Sequence, residues 1–203
     1  VGLDIVQGYE WMVDRCAVLN PVKYGIKIQN TAIADGGDGI ISNCMIVSRA
    51  ASGNPEAGIE WQSGGGLKVV GTKINCAASS KFAVGVHYNI ADNIATGITV
   101  LSGNSFENMD YGVLVAHKGP LNNGIFRLAT FNGNEVAANV HAFAIVPAVA
   151  GKDGGYNISG NVGTTGNAFF LLGNVDRVDL GCNTVDFGAR LSLRPGVTNL
   201  TGS

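Results

Sequence analysis

The chain has 203 residues, of which 30 are glycine and only 14% are charged, and its formal net charge is −2 at pH 7. The basic residues are scattered along the sequence, so it predicts no nucleic-acid partner. It contains no run of about 18 apolar residues, which predicts no membrane insertion. No window keeps a 3.6-residue hydrophobic period, so little helix is expected.

A short segment that begins with glycine and alternates apolar with other residues recurs along the chain. The regular copies are residues 2–5, 25–28, 58–61, 85–88 and 112–115, and less regular ones are 142–145, 168–171 and 188–191. The period-2 alternation predicts a short β-strand in each copy. Together they predict about eight repeats, the last of them incomplete.

A second short sequence pattern recurs in register with the first and places Asn, Cys or Thr three residues after an apolar residue. These positions are Cys16, Cys44, Thr72, Asn104, Asn134, Asn161 and Asn183, in steps of 28, 28, 32, 30, 27 and 22 residues. Repetition at this period is typical of a solenoid, in which neighbouring repeats stack to bury a common core. The sequence therefore predicts an all-β solenoid.

The asparagines of this second column have a physical reason. A two-residue corner between strands needs a residue that tolerates positive φ and can hydrogen-bond the neighbouring backbone. We therefore predict that Asn104, Asn134 and Asn161 stack as a ladder with their side chains pointing inward. The small side chains of Cys16 and Cys44 are expected to be buried at the same corner.

The four cysteines are predicted to be free thiols. Cys16 and Cys44 fall one repeat apart, roughly 5 Å between Cα atoms, so a bridge between them is sterically feasible. Cys76 and Cys182 have no partner in the repeat register, and buried Cys behaves as a small hydrophobic residue. No Cys or His spacing typical of zinc sites occurs.

The order of strand, loop, strand, Asn corner, strand and loop resembles the pectate-lyase-like superfamily. The similarity covers nearly all 203 residues and is greatest to the β-helical body of a bacteriophage tailspike or preneck appendage. It implies a right-handed parallel β-helix in a single domain, residues 1–203, and we expect this to be a piece of a longer chain. It also implies a homotrimer that binds bacterial polysaccharide, located in the virion tail or otherwise extracellular. The family's Asn-Thr-Asp, Gly-His-Gly and Arg-Ile-Lys active-site patterns are absent, so no catalytic residue is carried over.

Alternation along the glycine-led strands sends two columns of side chains outward. One column is Asp4, Lys27, Glu60 and His87, and the other is Val6, Gln29, Gln62 and Asn89. Their seven polar members, here called the polar stripe, match what sugar hydroxyls require and form the candidate glycan-binding site. An ordinary solvated sheet face is the alternative.

Asp4, Glu60 and His87 are the candidate catalytic residues of the stripe. Asp4 and Glu60 lie two repeats apart, about 9.6 Å at the backbone, close to the carboxylate spacing of inverting glycosidases. Lys27 between them is expected to pair with both and keep both ionised, which opposes a general-acid role. An acid–base pair of Glu60 and His87 is the other option.

The flanking segments contribute two further expectations. Tyr24 and Tyr111 each precede a strand glycine, where they could stack on a sugar ring or pack into the corner. Asp35 and Asp38 could contact Ca²⁺, but two carboxylates without the repeated Asp-x-Asp pattern are too few ligands. The sequence therefore predicts no metal and no cofactor.

Apolar side chains at both odd and even positions characterise residues 142–150 and 168–172. With Leu114 and Ala116 they predict an outward apolar patch, which a monomer would rarely expose. Burial around a three-fold axis is the expected reason, and an overlying loop or tail is the alternative.

The predicted function is a tailspike-like module that binds bacterial surface polysaccharide, with depolymerase activity left open. One alternative is a structural spike or shaft segment without catalysis. Another is a polysaccharide lyase or epimerase, in which Lys27 neutralises charge and His87 acts as the base.

Overall fold

A computed structural model describes residues 1–6, 9–29, 37–49, 54–62, 65–77, 81–91, 95–118, 124–147, 153–186 and 188–202. The regular secondary structure of these residues consists of 21 strands, without a helix. The prediction of an all-β chain is therefore confirmed. None of the described segments forms a helix that could cross a membrane.

The strands, in chain order, are β1 (Leu3–Val6), β2 (Glu10–Asp14), β3 (Ala17–Leu19), β4 (Tyr24–Gln29), β5 (Asp38–Ser42), β6 (Met45–Ser48), β7 (Ala57–Gln62), β8 (Leu67–Val70), β9 (Lys73–Cys76), β10 (Phe82–Ala91), β11 (Thr99–Ser102), β12 (Ser105–Lys118), β13 (Arg127–Asn132), β14 (Glu135–Ile145), β15 (Asp153–Ser159), β16 (Val162–Thr165), β17 (Ala168–Leu172), β18 (Val175–Leu180), β19 (Thr184–Val185), β20 (Ala189–Leu193) and β21 (Thr198–Gly202).

The strands form three runs of parallel neighbours. Run 1 is β1-β4-β7-β10-β12-β14-β17-β20, and run 3 is β3-β6-β9-β12-β14-β16-β19; together they make a 13-stranded sheet. Run 2, β2-β5-β8-β11-β13-β15-β18-β21, is a separate eight-stranded sheet. The long strands β12 and β14 belong to both run 1 and run 3 because each turns from one run into the other.

Each strand pairs with its counterpart in the next sequence repeat. In run 1, Ile26 aligns with Ile59, and Ile59 aligns with Val86. One core cluster contains side chains from all three runs, including Ile26 of run 1, Ile41 of run 2 and Ile46 of run 3, each fully buried. The parallel sheets thus curve around a common apolar interior.

The recurring strand glycines form a column in which neighbouring backbones approach closely. Its members are Gly2, Gly25, Gly58, Gly85 and Gly112. A Cβ added at any of them would lie 2.5–2.8 Å from a carbonyl oxygen of the next row, that of the following glycine or, for Gly112, that of Ala142. This is too short for a real contact, so the glycine repeat seen in the sequence is a packing requirement.

The predicted asparagine ladder is confirmed. Asn134 Oδ1 accepts hydrogen bonds from the backbone N–H and the side-chain amide of Asn104, at 3.1 and 2.9 Å. Asn161 bonds Asn134, and Asn183 bonds Asn161, in the same way. Thr72 continues the ladder, because its backbone N–H donates to Asn104 Oδ1 at 2.9 Å.

Positive φ at this corner falls on the residue before the ladder position. These residues are Arg15, Asn43, Gly71, Gly103, Gly133 and Gly160, with φ between 52° and 64°. The prediction that one residue both adopts positive φ and bonds the neighbouring backbone was wrong, because the structure divides the two tasks between adjacent residues.

All four cysteines are free, as predicted. Cys44 is buried at the ladder corner, and Cys76 is buried in the core. Cys16 is exposed, against expectation. Among the described residues, the strand that follows it, β3, pairs with β6 on one side only.

The prediction of an outward apolar patch around β17 was wrong. Phe169, Phe170, Leu171 and Leu172 are all buried. Phe170 stacks on Phe143 with 5.7 Å between ring centroids, and Phe169 meets the same ring edge-on at 5.6 Å. All five residues of this strand are buried, so the outward apolar patch no longer supports a trimer, and the trimer stays a prediction.

Candidate functional site

The polar stripe lies on the outer face of run 1, across β1, β4, β7 and β10. The register aligns Asp4 with Lys27, Lys27 with Glu60, and Glu60 with His87, as the alternation predicted. Their strand neighbours Ile26 and Ile28 are buried in the core on the other face. The sheet therefore holds the four side chains of this column in one line.

Glu60 is the centre of a buried hydrogen-bond network within the stripe. Only 1% of the residue is exposed. Its Oε2 lies 2.8 Å from Nδ1 of His87, and its Oε1 accepts from Gln62 Nε2 at 2.7 Å and Asn89 Nδ2 at 2.9 Å. These contacts bring together four residues that the sequence assigned to two adjacent columns.

The network sets the protonation of Glu60. Burial acts to raise the pKa of this carboxyl, but the hydrogen bond and charge of His87, followed by the amides of Gln62 and Asn89, lower it below its ordinary value of 4.5. A carboxylate stabilised in this way stays ionised near neutral pH. Glu60 is therefore suited to accept hydrogen bonds, whereas a general acid needs a raised pKa.

His87 has one nitrogen engaged and one without a partner. Nδ1 lies against Glu60, while the buried Nε2 has no hydrogen-bond partner in the described part of the chain. When Nδ1 carries the proton, Nε2 of the neutral ring is an acceptor. A substrate proton would reach this atom only if the atoms covering it moved.

The other half of the stripe is linked by Gln29. Its amide nitrogen lies 3.1 and 3.2 Å from the two carboxylate oxygens of Asp4, and its oxygen accepts from Lys27 Nζ at 2.7 Å. Among the described residues Lys27 forms no ion pair with Asp4 or Glu60, which differs from the prediction. Gln29 lies between the Asp4 carboxylate and the Lys27 ammonium, so the ammonium can still donate hydrogen bonds to a ligand.

The two candidate stacking tyrosines are packed against the protein. Tyr24 is buried and donates to Glu56 Oε2 at 2.6 Å, and its burial, helped by that bond, raises the pKa of the phenol. Tyr111 is half-buried, with its ring centroid 5.9 Å from that of His141. Tyr24 therefore fits the alternative in which the ring packs into the corner. Tyr111 remains partly exposed.

The loop considered for Ca²⁺ is described only in part. Asp35 lies outside the described residues. Asp38 Oδ1 accepts a hydrogen bond from the Gly66 backbone at 2.6 Å, which is a structural role. No cluster of three or more His, Cys, Asp or Glu side chains in the described ranges is placed to bind a metal ion.

The outer face of run 2 contains a groove of about 480 Å³ that was not predicted from the sequence. It is lined by residues that include Glu10, Met12, Asp38, Lys68 and Ile98. The signal was present in the sequence, since the outward positions of β2, β5 and β8 can be read from the same alternation.

Comparisons with protein-family models, with curated proteins and with solved structures found no match for this chain. A function is therefore inferred from the geometry of the polar stripe alone.

Proposed function

We propose that the chain is a right-handed parallel β-helix of about eight coils, similar to the body of a bacteriophage tailspike, and that its polar stripe binds bacterial surface polysaccharide. In this proposal the protein acts at the virion tail or otherwise outside the cell. The homotrimer expected for such proteins remains part of the proposal.

The strand order supports the β-helix. From β1 to β9 the chain visits runs 1, 2 and 3 in turn, and each strand pairs in parallel with the third strand after it. Runs 1 and 2 contain eight strands each, which fits about eight coils. The asparagine ladder adds a repeated corner between runs 2 and 3, as expected for stacked coils.

One observation carries the binding proposal: Asp4, Gln29 and Lys27 form a connected polar network at the surface, directly beside the network of Glu60 and His87. Carboxylates, amides and an ammonium on adjacent strands offer donors and acceptors about every 4.8 Å. A polysaccharide lying across the strands would meet one such group at each coil.

The stripe supports binding better than cleavage. The lowered pKa of Glu60 disfavours a general acid, and its three partners hold it in place. A depolymerase would instead need His87 Nε2 as a base with Lys27 neutralising the substrate charge, as in a lyase or epimerase. The alternative of a structural shaft is supported by the extent to which the side chains of the polar stripe hydrogen-bond one another.

An array of capsular polysaccharides and lipopolysaccharide O-antigens tests binding directly. We expect one glycan class to bind the parent protein and to bind Lys27→Ala and Asp4→Ala at least about tenfold more weakly, a loss of roughly 1.4 kcal/mol. Lys73→Ala is the matched control, because Lys73 is an exposed, ion-paired lysine on run 3. This variant should bind as the parent does.

Product analysis separates the activities. New reducing ends would identify a hydrolase, and 4,5-unsaturated sugars would identify a lyase. If no glycan binds, or if the Lys73 and Lys27 variants lose binding equally, the stripe is not the glycan site and the shaft alternative is favoured.

A further inference from the structure

Two cysteines occupy equivalent positions in adjacent rows at the corner of the asparagine ladder. Cys16 immediately precedes β3 and Cys44 immediately precedes β6, and these strands pair in register from Ala17 and Met45 onward. The Met45 N–H also donates to the Cys16 carbonyl at 2.9 Å. The register therefore stacks Cys44 directly on Cys16. This pair is independent of the polar stripe on run 1.

The thiol of Cys44 is directed toward the row that contains Cys16. Its Sγ lies 3.5 Å from the Val13 carbonyl oxygen of that row. The ladder asparagines likewise reach the carbonyl three residues before the ladder position of the preceding row. Cys16 Sγ lies 3.4 Å from the carbonyl oxygen of Asp14, the residue after Val13. Both sulfur atoms thus lie against consecutive peptide groups at the end of β2.

The spacing of the rows permits a covalent bridge between the two thiols. Neighbouring parallel strands are about 4.8 Å apart, within the range of about 4.4–6.8 Å that separates the Cα atoms of a disulfide. Thiols are weak hydrogen-bond donors, so their carbonyl contacts oppose a rotation about the Cα–Cβ bond only weakly. Cys76 aligns with Ser48 of the preceding row and has no such neighbour there.

We propose that Cys16 and Cys44 form a reversible disulfide when the protein meets a low-molecular-weight disulfide as the oxidant. The thiolate of the exposed Cys16 attacks one sulfur of the oxidant, whose S–S bond breaks as a first thiolate leaves. The Cys44 thiolate then attacks the Cys16 sulfur, forms the protein disulfide and releases a second thiolate. The two cysteines lose two electrons, and the two released thiols carry these electrons and the two cysteine protons.

Exposure sets the order of the two steps. Cys44 is only 3% exposed, and burial raises the pKa of its thiol, so it reacts poorly with a reagent from solution. A sulfur held on the adjacent row is within its reach. Cys16 therefore captures the oxidant, and Cys44 resolves the adduct. Cys182 is also exposed, but its neighbour in the preceding row is Gly160, so an adduct at Cys182 persists.

The bridge fastens the first two rows of the stack to each other. Within the described part of the chain, β2 and β3 each pair on one side only, with β5 and β6. A disulfide between residues 28 positions apart removes conformational freedom from the unfolded chain and so stabilises these rows. We expect it to raise the midpoint of thermal unfolding by about 5–10 °C.

Incubation of the 203-residue chain with oxidised glutathione, alkylation of the remaining thiols and peptide mass spectrometry test the pairing. The parent should yield peptides linked through Cys16 and Cys44, and a glutathione adduct at Cys182. Cys44→Ser should stop at a stable adduct on Cys16, and Cys16→Ser should leave Cys44 without glutathione. Cys182→Ser is the matched control, because it removes an exposed thiol and should form the bridge as fully as the parent does.

Thermal unfolding of the oxidised and reduced proteins measures the effect of the bridge. The midpoint should rise on oxidation in the parent and in Cys182→Ser, and stay unchanged in the two variants that lack a bridge partner. An adduct on Cys16 that persists in the parent as it does in Cys44→Ser would overturn the proposal. A bridge that involves Cys76 or Cys182, or that links two chains, would overturn it as well. The peptide map of the parent needs no substitution, so it decides the pairing even if a serine variant does not fold.

Discussion

The side-chain oxygen of Asn134 accepts two hydrogen bonds from Asn104, one from its backbone N–H and one from its side-chain amide. Asn134 also donates to the Leu101 carbonyl at 3.1 Å and to Asn161 Oδ1 at 2.9 Å. The residue is fully buried, so water cannot replace these contacts. One side chain thus satisfies polar groups in both neighbouring rows of the stack.

Asn134→Leu should lower the free energy of unfolding by about 3 kcal/mol. It leaves the Asn104 N–H and the Leu101 carbonyl without partners, and each such group costs about 1–3 kcal/mol. Urea denaturation measures the change. Asn75→Leu is the control, because Asn75 is half-buried on the outer side of β9, and we expect a change within about 0.5 kcal/mol there. Equal losses in both variants would contradict the ladder.

Two glycine substitutions separate crowding from backbone strain. A Cβ on Gly85 would lie 2.5 Å from the Gly112 carbonyl oxygen, whereas one on Gly103 would have nothing within 4 Å but sits at a φ of +62°. Gly103→Ala should cost about 1 kcal/mol from the left-handed conformation alone. Gly85→Ala should cost more, about 3 kcal/mol, because the neighbouring row must move. Thermal unfolding of both proteins tests the order, and the reverse order would refute close packing of the glycine column.

The buried carboxyl of Glu60 makes stability depend on pH. Its pKa in the folded state lies below the ordinary value of 4.5, so its contribution is fully present above about pH 4.5 and is lost as the pH falls through the folded-state pKa. Glu60→Gln removes this contribution. The difference in unfolding free energy between parent and variant should therefore be largest near neutral pH and shrink in acid.

Urea denaturation of both proteins between about pH 3 and pH 7 measures this difference. Glu107→Gln is the matched control, since Glu107 is partly exposed and pairs with Lys73 at the surface. Its stability should differ little from that of the parent at any pH. A Glu60→Gln difference that grows in acid would contradict the sign of the pKa shift.

The repeating parts of the fold could be predicted because they follow from local patterns. The glycine column and the ladder asparagines recur at a fixed spacing, and stacking converts that spacing into contact. The outward column from Asp4 to His87 followed from strand alternation alone. These predictions needed only the period of the repeat and the direction of each Cβ.

Other features required side-chain geometry that a sequence pattern does not contain. The strand β17 is apolar at every position, and alternation gives no direction for Phe169 or Phe170 when both faces are buried. Charge order along a column suggested that Lys27 would pair with Glu60. In the structure Lys27 pairs with Gln29, and Glu60 pairs with His87. The length of each side chain decides which of its neighbours it can reach.

Thiol reactivity should divide the four cysteines into two pairs. Cys16 and Cys182 are exposed, while Cys44 and Cys76 are buried. Burial also raises the pKa of the Cys44 thiol, which lowers its reactive thiolate fraction. A colorimetric thiol reagent should modify two groups in the native protein and all four in denaturant. Cys16→Ser should remove one fast-reacting group, and four fast thiols in the native parent would contradict the burial of Cys44 and Cys76.

Phe170 provides the most direct test of the interior at β17. Its ring is fully buried and stacks on Phe143, so Phe170→Ala should lower the free energy of unfolding by about 3–5 kcal/mol through lost burial and a cavity. Leu193→Ala is the control on the adjacent strand β20, where the side chain is 53% exposed, and it should cost less than about 1 kcal/mol. Urea denaturation at a concentration well below that of self-association isolates the effect within one chain. If Phe170→Ala costs no more than the control, the ring faces solvent, and an outward apolar patch on run 1 would again explain assembly.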